Sequence, residues 1–167
     1  EVDHAEMESF VETKSTHSPG KLDAQVTECV RLISQADRPV AILGWGVRLA
    51  GAASDALEFV ERLGIPVAPT WALRDLFPAD HPLLVGAFGT HGTRAGNFTV
   101  QNADLVIAVD CGITAIDAIQ AAANNGLEVM VLDHHRFVRD EQGEIILPAA
   151  SVVVHPGLPV TGVAQIG

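Results

Sequence analysis

From Lys21 onward, apolar residues recur at helical spacing. Leu22, Val26, Cys29, Val30, Ile33 and Ala36 predict one amphipathic helix. Pro39–Leu43 (PVAIL) is an unbroken apolar run, as expected of a strand covered on both faces. It passes through Gly44-Trp45-Gly46-Val47 into a second helical pattern over Ala50–Leu63, which Gly64 stops. Ile65–Ala68 reads as the next strand. Pro69–Pro82 reads as an ordered loop with a short helix, braced by His81 between Asp80 and Pro82. Asn102–Gly112 (NADLVIAVDCG) is a buried-strand pattern ending in an aspartate. Ala115, Ile116, Ile119, Ala122 and Ala123 predict a helix closed by Asn124-Asn125-Gly126. Leu127–Leu132 and Ser151–Val154 are two more strands, separated by a charged connection over Arg136–Gly143.

Strands alternating with helices predict an α/β fold. The expected architecture is a three-layer, Rossmann-like, doubly wound and mostly parallel sheet, forming a single domain over residues 21–167. Residues 1–20 are polar, end in Ser18-Pro19-Gly20 and read as a linker, with His4 and His17 as solvated loop histidines. The tail Val160–Gly167 is short and rich in small residues.

Composition narrows the function classes. Of 167 residues, 48% are hydrophobic and 19% charged, which suits a globular protein. No apolar run approaches the roughly 20 residues of a membrane span, and the start shows no signal-peptide order. Cys29 and Cys111 are too few for a disulfide framework, and Cys29 falls on the apolar helix face. The expectation is a cytoplasmic protein. A net charge of −11 argues against nucleic-acid partners, and apolar faces suggest self-association.

Two places carry candidate chemistry. Strand, glycine turn and helix around Gly44, Trp45, Gly46 and Val47 open a nucleotide-binding α/β unit. The dinucleotide fingerprint is incomplete, because Leu49 stands where a third glycine belongs and no acid follows the next strand. The turn either binds a ligand or lets the helix pack closely. The second place is the carboxyl rim of the sheet. Asp110 ends one strand and Asp133-His134-His135 ends the next. Neighbouring strands lie about 4.8 Å apart, so an aspartate and an imidazole there could ligate one cation such as Mn²⁺.

The runs RPVAILGWGVRLAGA, ERLGIPVAPTW and FPADHPLLVGAFGTHGTRAGNFTVQNADLVIAV resemble the central domain of acetolactate-synthase-like thiamine-diphosphate enzymes, over residues 1–109. In that family the thiamine chemistry lies between two other domains, and the central domain holds FAD, ADP or nothing. The resemblance implies nucleotide contacts at Gly44, Trp45, Gly46 and Val47, and again at His91, Gly92 and Thr93. The family's next contact, an arginine-and-acid loop, is replaced here by Asp110-Cys111-Gly112-Ile113-Thr114. His91 could alternatively make a local hydrogen bond at a helix start.

From about Ala103 to Pro159, the runs VDCGITAIDAIQAAANNGLEVMVLDHH and LPAASVVVHPGLP resemble the DHH phosphoesterases of the RecJ type. This resemblance implies metal ligation by Asp110 and His134, with Asp133 and His135 in supporting or phosphate-contacting positions. The family's further acidic motif belongs after the first strand, where this chain has GWGV. A join inside one sheet, between a half at 21–109 and a half at 110–159, suggests an engineered or recombined chimera. The expectation is a scaffold without enzymatic activity or cofactor. Residual FAD, ADP or Mn²⁺ binding and weak phosphodiesterase activity are the alternatives.

Overall fold

The computed structural model describes residues 19–158. Helix α1 (Pro19–Gln35) leads into strand β1 (Pro39–Leu43), followed by the short helix α2 (Gly46–Leu49) and helix α3 (Ala53–Leu63). Strand β2 (Val67–Pro69), helix α4 (Arg94–Gln101) and strand β3 (Leu105–Val109) come next. Helix α5 (Ile116–Asn124), strand β4 (Glu128–Leu132), a hairpin of β5 (Val138–Arg139) and β6 (Ile145–Ile146), and strand β7 (Val152–Val154) complete the order. Residues 1–18 and the tail 159–167 lie outside the described residues, as do His4 and His17.

Five strands form one parallel sheet in the order β2-β1-β3-β4-β7, which is the α/β architecture expected from the pattern. Alternation along the strands gives the sheet two apolar faces. Ala41, Leu43, Leu105, Ile107, Met130 and Val152 point to one face, against Leu32 of α1 and Val60 of α3. Val40, Val106, Val129, Val131 and Val153 point to the other, with Val100 of α4 and Ile119 of α5. Both faces are covered, so the strands read as continuous apolar runs. Cys29 packs against the first core, as its helical position implies.

Three departures have local causes. The helix expected over Ala50–Leu63 is α3 but starts at Ala53, because Gly51 turns left-handed at φ 67° and separates it from the short α2, which was not expected. Helical spacing of apolar residues does not register one left-handed glycine. The connection around Arg136–Gly143 contains the antiparallel β5–β6 pair, whose Asp140 carboxylate accepts from the N–H groups of Gln142 and Glu144. Two-residue strands are too short to show alternation. Pro19 and Gly20, expected to close the linker, already belong to α1.

Candidate functional site

The strand register builds the rim. Leu43 of β1, Val109 of β3, Leu132 of β4 and Val154 of β7 lie in one row across the sheet. The ladder continues one residue further. Gly44 N–H donates to Val109, Asp110 N–H to Leu132, and Asp133 N–H to Val154. Gly44, Asp110, Asp133 and His155 therefore stand side by side past the carboxyl ends of the strands, where open α/β sheets place their sites.

Asp110 is at the centre. It is the non-glycine residue with a positive φ among the described residues, at 56°. Its Oδ2 accepts the Gly46 N–H, and its Oδ1 accepts His134 Nε2–H at 2.7 Å. A Cβ at either Gly44 or Gly46 would overlap Asp110. The glycine turn is thus the seat of an internal carboxylate, which takes the position an anionic ligand would need.

Asp133 is buried and fully engaged. It accepts the N–H groups of Ile113 at 3.0 Å, His134 at 2.7 Å and His135 at 3.2 Å, and His135 Nδ1–H at 2.6 Å. Burial alone would raise its pKa, but the His135 hydrogen bond and the backbone donors outweigh it and hold the carboxyl below its ordinary value. The same bond to Asp133 raises the His135 pKa. That contact makes Nδ1 the donor and leaves Nε2 without a hydrogen bond among the described residues, the arrangement by which a carboxylate orients a metal-binding imidazole. His155 Nε2–H donates to the His135 carbonyl at 2.7 Å and braces the segment. Burial, followed by the charges of Asp133 and Asp110, pushes the Cys111 thiol up to about 12, which makes it a poor nucleophile.

Asp110, His134 and His135 each offer a ligand atom, and these atoms lie within 4.8 Å of one another. Asp133 supports the cluster from below. The second predicted set is arranged otherwise. Thr93 is the N-cap of α4, its Oγ1 accepting the Gly96 N–H at 2.9 Å and donating to the Val85 carbonyl at 3.2 Å. Gly92 lies against the Ala87–Phe88 backbone, where a Cβ would collide. His91 is exposed, so the local bond at the helix start belongs to Thr93, two residues on. His81 braces its turn, accepting the Leu83 N–H and facing Glu61 Oε1, each at 3.3 Å. The pattern of residue types did not reveal the Gly46–Asp110 link or the Ile113 N–H beneath Asp133. The DCGIT run was the one signal close to them.

The sequence model of the thiamine pyrophosphate enzyme central domain matches residues 26–138. The chain is 40% identical over 87 residues to a probable acetolactate synthase large subunit of Methanocaldococcus jannaschii, covering 52% of this chain and 15% of that protein. It is 41% identical over 88 residues to an acetolactate synthase of Arthrospira platensis, covering 51% and 15%. It is 39% identical over 87 residues to a sulfoacetaldehyde acetyltransferase of Alcaligenes xylosoxydans xylosoxydans, covering 52% and 14%. The chain thus spans less than a fifth of the length of these curated relatives.

These matches correct three expectations. The family match runs past Val109 to residue 138, so it supports the thiamine-enzyme part of the reading and gives no support to a chimera. The relatives are enzymes by name, so the chain falls in an enzyme family and the expectation that it is no enzyme is overturned. The family's cofactor is thiamine pyrophosphate, which overturns the expectation of none, or of residual Mn²⁺, FAD or ADP. A diphosphate needs cations or free N–H donors. At this rim the Gly46 N–H is engaged by Asp110, three further N–H groups by Asp133, and Arg48 by Asp75 at 2.7 Å. The rim residues of this chain do not fit the cofactor. What the sheet and its matched residues 26–138 do establish is membership: the chain belongs to the thiamine pyrophosphate enzyme central-domain family.

Proposed function

We propose that this chain serves as the central α/β domain of an acetolactate-synthase-like enzyme. In this role it packs between catalytic parts of a longer protein, which hold the cofactor and the reacting carbonyl compound. The observation that carries the reading is the family match over residues 26–138, which takes in α3, α4, α5 and strands β1 to β4. The anion-filled glycine turn supports it, since the domain then contributes shape and not diphosphate binding. The test is a graft. Residues 26–138 replace the corresponding central-domain segment of the Arthrospira platensis acetolactate synthase, and acetolactate formation is measured. A folded hybrid that forms acetolactate is expected; a folded hybrid that forms none would overturn the reading.

The convergence of Asp110, His134 and His135 favours a second reading at the rim, where the DCGIT and VLDHH runs resemble DHH phosphoesterases. On this reading the three side chains hold one divalent cation, and two imidazoles with one carboxylate suit Zn²⁺. A two-metal hydrolytic centre needs further carboxylates, and β1 ends in GWGV without one. Calorimetric titration with Zn²⁺ should give one equivalent, lost in His134→Ala. At one hundred times the dissociation constant, the melting midpoint should rise by roughly 5–10 °C. Absence of binding by the folded chain would remove this reading and leave the first intact.

A further inference from the structure

The order β2-β1-β3-β4-β7 contains a switch point between β1 and β3. From β1 the chain crosses to β2 through α3 on one face, while β3 leads to β4 through α5 on the other. The crevice beyond such a point is where open α/β sheets take ligands. A pocket of about 240 Å³ lies there on the α3 side. Its floor is Leu43, Val109 and Leu132, the last residues of β1, β3 and β4, and Val47 forms a wall.

Size and charge together select the occupant. An apolar cavity of roughly 150 Å³ accepts benzene, so this pocket has room for a ring with a short tail. It is smaller than the roughly 300–1,000 Å³ of most drug-sized sites, which limits the ligand to a small molecule. Asp55, exposed in the first turn of α3, is the one charged residue in the lining. The whole chain carries −11. Carboxylates and phosphates are therefore repelled, while a cationic head is attracted.

We propose that this pocket binds a small apolar primary amine, its hydrocarbon body on Leu43, Val109 and Leu132 and its ammonium group at Asp55. The site is distinct from the Asp110–His134–His135 rim and does not depend on a cation there. The test uses the full chain and 2-phenylethylamine, with 2-phenylethanol as the uncharged isostere, and follows methyl resonances of Val47, Val109 and Leu132. Saturable shifts of those methyls are expected, with the amine binding about three- to fivefold more tightly than the alcohol. Asp55→Asn should erase that preference, and Ala56→Phe should fill the pocket and abolish both responses. If Ala56→Phe does not fold by circular dichroism, Ala52→Leu narrows the same pocket. Three results would each overturn the proposal: no saturable methyl shifts, an undiminished response in the folded filled variant, or equal affinity for amine and alcohol in the unsubstituted chain.

Discussion

Asp133 and His135 set a pH window for stability. The Asp133 pKa is lowered on folding, so its contribution is present above about 3.9 and is lost as pH falls through the folded value. The His135 pKa is raised on folding, so its contribution is complete below about 6.5 and is lost as pH rises through the folded value. The pair therefore contributes most between those limits. Denaturant midpoints measured from pH 3 to 9 should show the alkaline decline in the unsubstituted chain and lose it in His135→Gln; parallel profiles would refute the assignment. Asp133→Ala strands buried backbone donors and should cost about 2–4 kcal/mol. Gly46→Ala drives a methyl group into Asp110 and should cost about 1–3 kcal/mol. That cost should fall in an Asp110→Gly background, and a double-mutant cycle with no coupling would mean that the turn does not seat the carboxylate.

At the scale of elements, the distinctive Gly89–Thr93 run finds its use in starting α4. Gly89 N–H donates to Asn97 Oδ1 at 2.7 Å, and Thr93 caps the helix, so both sides of the turn are tied to α4. Thr93→Ala should destabilise the chain by about 1 kcal/mol, while Thr93→Ser retains most of the cap. Equal unfolding midpoints for the two variants would show that the Oγ1 bond contributes nothing. The break between α2 and α3 also shapes the surface. By turning at Gly51, the chain places α2 against the rim and the first turn of α3, with Asp55, at the mouth of the pocket.

For the whole molecule, the sheet and its two cores form the frame, and the exposed apolar residues decide how it meets other surfaces. Trp45 and Leu49 follow β1 and Trp71 follows β2, two strands paired at Leu43 and Pro69, so three exposed apolar side chains leave neighbouring strand ends. Arg48 lies over the Trp45 ring at 5.2 Å and bonds Asp75, which ties α2 to the segment after β2. Self-association through this surface is the expected behaviour of the isolated chain. Sedimentation velocity should show a mass that rises with concentration and falls in the double variant Leu49→Ser, Trp71→Ser; a concentration-independent monomer would contradict it. No helix among the described residues is long and apolar enough to cross a membrane.

The sequence by itself determined the α/β class, the strands PVAIL and LVIAV, and the placement of Asp110 and Asp133 at strand ends. Those features are local: apolar runs, glycine stops and helical spacing are written in consecutive residues. It also carried the thiamine-enzyme resemblance, because that resides in ordered runs of residues. Only the tertiary structure decided what the rim does with them. Register across four strands put Gly44, Asp110, Asp133 and His155 in one row, and a positive φ at Asp110 turned its carboxylate into the glycine turn. The same crossing of strands and helices made the pocket beneath Asp55, whose floor comes from residues 43, 109 and 132. Contacts between residues so far apart depend on how strands pair and on which face each crossover takes, and no stretch of consecutive residues encodes either.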